Sequence, residues 1–181
     1  MDVHPLDMKF REIRDLLAAW IVLGVAFANL YQALTPAFLL ISMLTAGIGF
    51  LLHELAHKVV AMRFGFPAEF RADYQMLGVA FLTSFLGLLF AAPGAVMVRG
   101  LRDRRKDALI SLAGPATNIV LALGFTAVPG VMGSYGTSIN SWLALFNMIP
   151  AGGLDGESVY RYSRPLYGAT VLVSGYLVFF L

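Results

Sequence analysis

Four stretches of the chain carry no Asp, Glu, Lys or Arg: residues 16–52, 74–98, 108–154 and 165–181. Charged positions gather into short clusters between them, an arrangement that suits hydrocarbon around the runs and water at their ends. Residues 13–34 suffice for a first spanning helix, stopped by Thr35-Pro36. A second helix is expected from about Pro36 to Phe64, ahead of Gly65-Phe66-Pro67; proline is tolerated at a helix start because its missing N–H would have no partner there. Another helix is expected over 107–128 and a shorter one over 138–149, broken at Pro150-Ala-Gly-Gly, with a final segment from near Pro165. Residues 74–98 are long enough to cross a membrane once, but they break at Ala92-Pro93-Gly94 and end in a strand-like Ala-Val-Met-Val.

Composition strengthens this picture. Of the 181 residues 59% are hydrophobic and 13% charged, against roughly 45–50% and 25% in soluble domains. A net charge of +2 gives no nucleic-acid-binding face, and with no cysteine there is no disulfide framework, thiol nucleophile or thiolate metal site. Arginine placement decides the topology of 74–98. Basic residues favour the cytoplasmic side, and the clusters at Lys9–Arg14, Arg63–Arg71, Arg99–Lys106 and Arg161–Arg164 all lie there if 74–98 enters and returns. The expected fold is therefore an all-α integral membrane protein, a polytopic helical bundle of about 5–6 transmembrane segments with a re-entrant segment at about 74–98. The last apolar run has 17 residues and no polar flank, short of a full span, so the natural chain is expected to continue past residue 181.

Within the second helix lies LLHELAHKVVAMRFG, residues 51–65, which puts ionisable groups where each is costly. His53 and His57 are four apart and share one helix face, with Glu54 about 100° round and able to reach a water held by both rings. His-Glu-x-x-His on a helix suits a zinc site with the Glu as general base, although a His–Glu pair bonding two helices together is the plainer alternative. Catalytic zinc usually takes three protein ligands and keeps a fourth position for water. His4 sits in the polar N-terminal segment and reads as a surface residue. Asp155 closes a charge-free run of 47 residues just after a helix broken by Pro and two Gly, where a carboxylate serves either as ligand or as helix cap, while Glu157 reads as an interfacial charge.

HELAH at 53–57, SLAGPATN at 111–118 and NMIPAGGLDG at 147–156, taken in that order, resemble the site-2 protease family of intramembrane zinc metalloproteases, in the short form of its prokaryotic and particularly archaeal members. The resemblance covers about residues 37–156, which would be the catalytic core of a single membrane-embedded domain spanning 1–181. It implies one zinc ion held by His53, His57 and Asp155, with Glu54 as catalytic base. It further implies a supporting role for Asn147 near the substrate carbonyl, and a structural or substrate-facing role for Asn118. The 74–98 insertion is longer than the re-entrant β-loop of better-known members.

The expected activity is hydrolysis of peptide bonds within or near the transmembrane segments of other membrane proteins, by a multi-pass enzyme with its site toward the cytoplasm. The expected partners are a transmembrane substrate and the bilayer, with no nucleic acid. Two rivals are a metal sensor or transporter and a silent scaffold stabilised by zinc. A transporter would need further acidic or His sites along a path, and a scaffold would be expected to have lost Glu54. Asp155 must also meet both histidines, which requires an odd number of membrane crossings between the second helix and the helix before Asp155; counting 107–128 as the only one again favours a returning 74–98.

Overall fold

The computed structural model describes residues 8–31, 34–89 and 93–181. Among these are seven helices and one two-stranded sheet: α1 (Phe10–Leu30), α2 (Pro36–Arg63), β1 (Ala68–Ala72), α3 (Tyr74–Ser84), β2 (Gly94–Val98), α4 (Arg104–Phe125), α5 (Val131–Asn147), α6 (Asp155–Tyr162) and α7 (Arg164–Phe180). His4, and Ala92 at the expected break, lie outside the described residues.

Three helices, α1, α2 and α4, are long and apolar enough to cross a membrane; α5 and α7 have 17 residues each. The outer surfaces are oily, with Leu86, Val120, Leu172 and Phe180 exposed, while Asn118, Asn140, Ser141 and Lys58 are buried. Apolar groups outside and bonded polar groups inside suit a lipid surround rather than water.

Each boundary has a local cause. Thr35 caps α2 by accepting the Phe38 N–H, and Pro36 follows at the first helical position. Residues Met43–Gly47 widen α2 into a π turn whose Met43 carbonyl also accepts the Trp20 indole N–H at 3.0 Å. Asp103 caps α4 through the N–H groups of Arg105 and Lys106 and so starts the helix a few residues before the expected 107. The 138–149 helix is longer than expected, because Gly133 and Gly136 do not break it. They let α5 close on the end of α4, where a side chain at Gly136 would strike the Phe125 ring.

The fold is mostly helical rather than all-α. β1 and β2 pair antiparallel, with Ala68 opposite Val98 and Ala72 opposite Gly94. β2 is the expected strand-like segment, whereas β1, with the sequence Ala-Glu-Phe-Arg-Ala, has no continuous apolar signal. The pairing settles the geometry of the insertion: α3 leaves directly from β1, and the chain comes back to pair with it, the Asp73 N–H bonding the Pro93 carbonyl at 3.0 Å.

Candidate metal centre

The middle of α2 faces α4, and both histidines turn into that contact. His57 Nδ1 lies 2.7 Å from the Ile110 carbonyl. A carbonyl only accepts, so Nδ1 carries the proton and Nε2 keeps its lone pair free. His53 Nδ1 lies 2.6 Å from Asn118 Oδ1. The orientation of that amide is fixed from behind, since Asn118 Nδ2 donates to the Gly49 carbonyl at 3.2 Å and to Asn140 Oδ1 at 3.0 Å. His53 is therefore also protonated at Nδ1, and both Nε2 atoms are presented as ligands.

Asp155 arrives from another part of the chain. Gly152 and Gly153 adopt φ of 70° and 76°, which favours residues without a Cβ, and turn the chain into α6. Gly156 seats the start of α6 against the Met148 carbonyl, where a Cβ would collide. Asp155 Oδ2 then lies 3.2 Å from His53 Nε2 and 3.4 Å from His57 Nε2.

Ligand atoms of these three residues lie within 4.8 Å of one another. Asp155 Oδ2 is buried and has no hydrogen-bond partner. Gly114, opposite them on α4, has no side chain to fill the space; a Cβ there would strike Nε2 of both histidines. Two neutral imidazoles, one carboxylate and a cleared volume match the donor set of a catalytic zinc site. Three distinct elements supply it, with α2 giving the rings, α6 the carboxylate and α4 the floor.

Glu54 borders the same cavity, of about 870 Å³, and its buried Oε2 has no hydrogen-bond partner. Val96 of β2 lines the cavity with it. Asn147 lines the cavity too, with its amide Nδ2 donating to the Leu143 carbonyl at 2.9 Å. Asn118 is fully buried, bonds the His53 ring and also lines the cavity. Sequence reasoning passed over Asn140, the Ile110 carbonyl and Gly114. Gly114 alone left a trace, inside the quoted Ser-Leu-Ala-Gly-Pro motif.

These features define a helical protein with long apolar segments and an internal His-His-Asp metal pocket beside a free carboxylate. Comparison with known proteins gives the family. A protein of Methanocaldococcus jannaschii named "Putative zinc metalloprotease MJ0611" is 36% identical over 181 residues, taking in 93% of this chain and 94% of the relative. "Putative zinc metalloprotease YwhC" of Bacillus subtilis is 28% identical over 144 residues, 64% of this chain and 65% of the relative. No family model matches the chain, and no solved structure does. The chain belongs to the site-2 protease-like family of these zinc metalloprotease homologues.

Proposed function

We propose that the protein is an intramembrane zinc metalloprotease that hydrolyses peptide bonds in the transmembrane segments of other membrane proteins. The observation that carries this reading is the convergence of His53, His57 and Asp155 beside Glu54, whose buried Oε2 has no partner, in a chain built from long apolar helices.

Bound at the three ligands, zinc would acidify water toward a pKa of about 7 and polarise the scissile carbonyl. Glu54 takes the proton of the attacking water on Oε2 and returns it to the leaving nitrogen. Asn147 has a second amide hydrogen beyond the one held by Leu143, and directs it at the developing oxyanion; one such donor is worth about 3 kcal/mol in other enzymes. Water enters from the end of the cavity lined by Arg102, Arg104 and Asp107, which the arginines assign to the cytoplasm. The 74–98 segment is then re-entrant, its irregular backbone sheltered by the cavity it lines.

A helical substrate hides its carbonyls and must unwind to be cut. β2 offers an edge for the unwound stretch. Ladder bonds run through Arg99 and Pro67 and through Asp73 and Pro93. By alternation, the backbone groups of Gly94, Val96 and Val98 point away from β1, and all three residues line the cavity. An extended substrate laid on this edge pairs by strand addition next to Glu54.

Purified protein incubated with a membrane-spanning test substrate decides the matter. Hydrolysis abolished by Glu54→Gln, with zinc retained, is the expected result; hydrolysis that survives the change refutes Glu54 as the base. A metal transporter or zinc-stabilised scaffold predicts no hydrolysis by the unaltered protein.

A further inference from the structure

The sheet has two outer edges, and only one is open. On β1 the N–H groups that point away from β2 are those of Ala68, Phe70 and Ala72, by the same alternation. Two of them meet carboxylates from α1. The Phe70 N–H donates to Glu12 Oε1 at 3.1 Å, and the Ala72 N–H donates to Asp15 Oδ2 at 3.4 Å. Glu12 and Asp15 lie three apart and stack on one helix face, a spacing that matches alternate N–H groups of a strand. Their side chains are almost fully buried.

Both carboxylates are held in turn. Lys58, one residue beyond His57, reaches back from α2 and donates to both Glu12 oxygens at 2.8 and 2.7 Å. The Tyr74 hydroxyl and the Arg14 guanidinium fix Asp15 Oδ1 at 2.7 and 2.9 Å. A chain of bonds thus runs from the helix that carries the histidines, through Lys58 and Glu12, to Phe70 in the middle of β1, which stands opposite Val96 on the edge that lines the cavity with Glu54.

We propose that Glu12 and Asp15 form a carboxylate clamp that stands in for a missing strand. It seals the back edge of the sheet and sets the height of the β2 edge relative to the metal ligands, so that an unwound substrate is cut at one register. This rests on the proposed proteolytic function and names residues that position its substrate. Glu12 and Asp15 are positioning residues: they touch the sheet, and the sheet touches substrate. A carboxylate only accepts hydrogen bonds, so it satisfies the exposed N–H groups while offering none of the donors an incoming chain would need.

Removing Glu12 alone would take the buried carboxylate away from Lys58, so the test uses paired variants. Glu12→Leu/Lys58→Met removes the ion pair and the acceptor for Phe70; Glu12→Gln/Lys58→Met removes the ion pair but keeps an acceptor. With zinc content and thermal midpoint retained in both, the Leu/Met protein is expected to show KM for a transmembrane substrate raised at least fivefold and products spread over neighbouring bonds. The Gln/Met protein is expected to cut one bond at near the original KM. Indistinguishable KM and cleavage positions in the two proteins overturn the clamp. Should the Leu/Met protein fail to fold, Asp15→Ala against Asp15→Asn poses the same question with the same readouts.

Amide exchange separates this proposal from the one beneath it. If the unaltered protein cleaves nothing, the proteolytic reading falls, and exchange alone judges the clamp. Faster exchange at Ala95 and Met97, whose N–H groups form the ladder, in the Leu/Met protein but not the Gln/Met protein supports it. Equal exchange in both overturns it.

Discussion

Two ionic clusters grow from the same turn of α2, and they are built to opposite rules. Lys58 donates to both oxygens of Glu12, and the spare capacity of Glu12 is taken by a backbone N–H. One residue earlier, His57 joins His53 and Asp155 in a group that leaves Asp155 Oδ2 and the neighbouring Glu54 Oε2 without hydrogen-bond partners. An unmet acceptor buried in an apolar protein is costly. A fold keeps such atoms where something else is to occupy them. Between these two clusters, it is the unmet acceptors rather than ionisable character that set the metal pocket apart from the scaffold.

The comparison can be broken in several ways. Asp155→Ala should abolish both zinc retention and hydrolysis while leaving the helical circular dichroism unchanged; full metal content in that protein would remove Asp155 from the ligand set. Lys58→Met alone should destabilise the fold by about 3–5 kcal/mol, because it leaves a buried carboxylate uncompensated. Much of that loss should return in Glu12→Gln/Lys58→Met, as read from thermal denaturation in detergent. Asn118→Ala should weaken zinc affinity about 10–100-fold by freeing the His53 ring, a magnitude typical of lost ligand supports; competition with a chelator of known affinity measures it. The mildest change is Val96→Pro, which deletes the N–H at the centre of the open edge and should slow cleavage several-fold with zinc unaffected. Unchanged turnover in the folded Val96→Pro protein would exclude strand pairing at that edge.

What could be read from the chain divides along the same line. His53, Glu54 and His57 are legible because four-residue spacing is a local property of a helix, and Asp155 because a lone carboxylate ends a long uncharged run. The strand character of 94–98 was visible in its β-branched residues. Its partner β1 was not, since Glu69 and Arg71 alternate with Phe70 in five residues that gain strand geometry only by pairing. Glu12 and Asp15 stand in the charged stretch at the start of the first span and carry no motif. Their burial depends on Lys58, Phe70 and Ala72, all far along the chain, and no local pattern announces such partners. The early start of α5 was hidden for a related reason: glycine breaks a helix or permits close packing, and at Gly136 the neighbouring Phe125 ring requires the close packing.

The histidines and Asp155 come from opposite halves of the polypeptide, joined by nothing local. A ribosome delivers the rings well before the carboxylate, so a half-inserted chain lacks the means to attack any bond. Under the proposed function, cutting power is thereby withheld until Asp155 and α6 have followed the histidines into place.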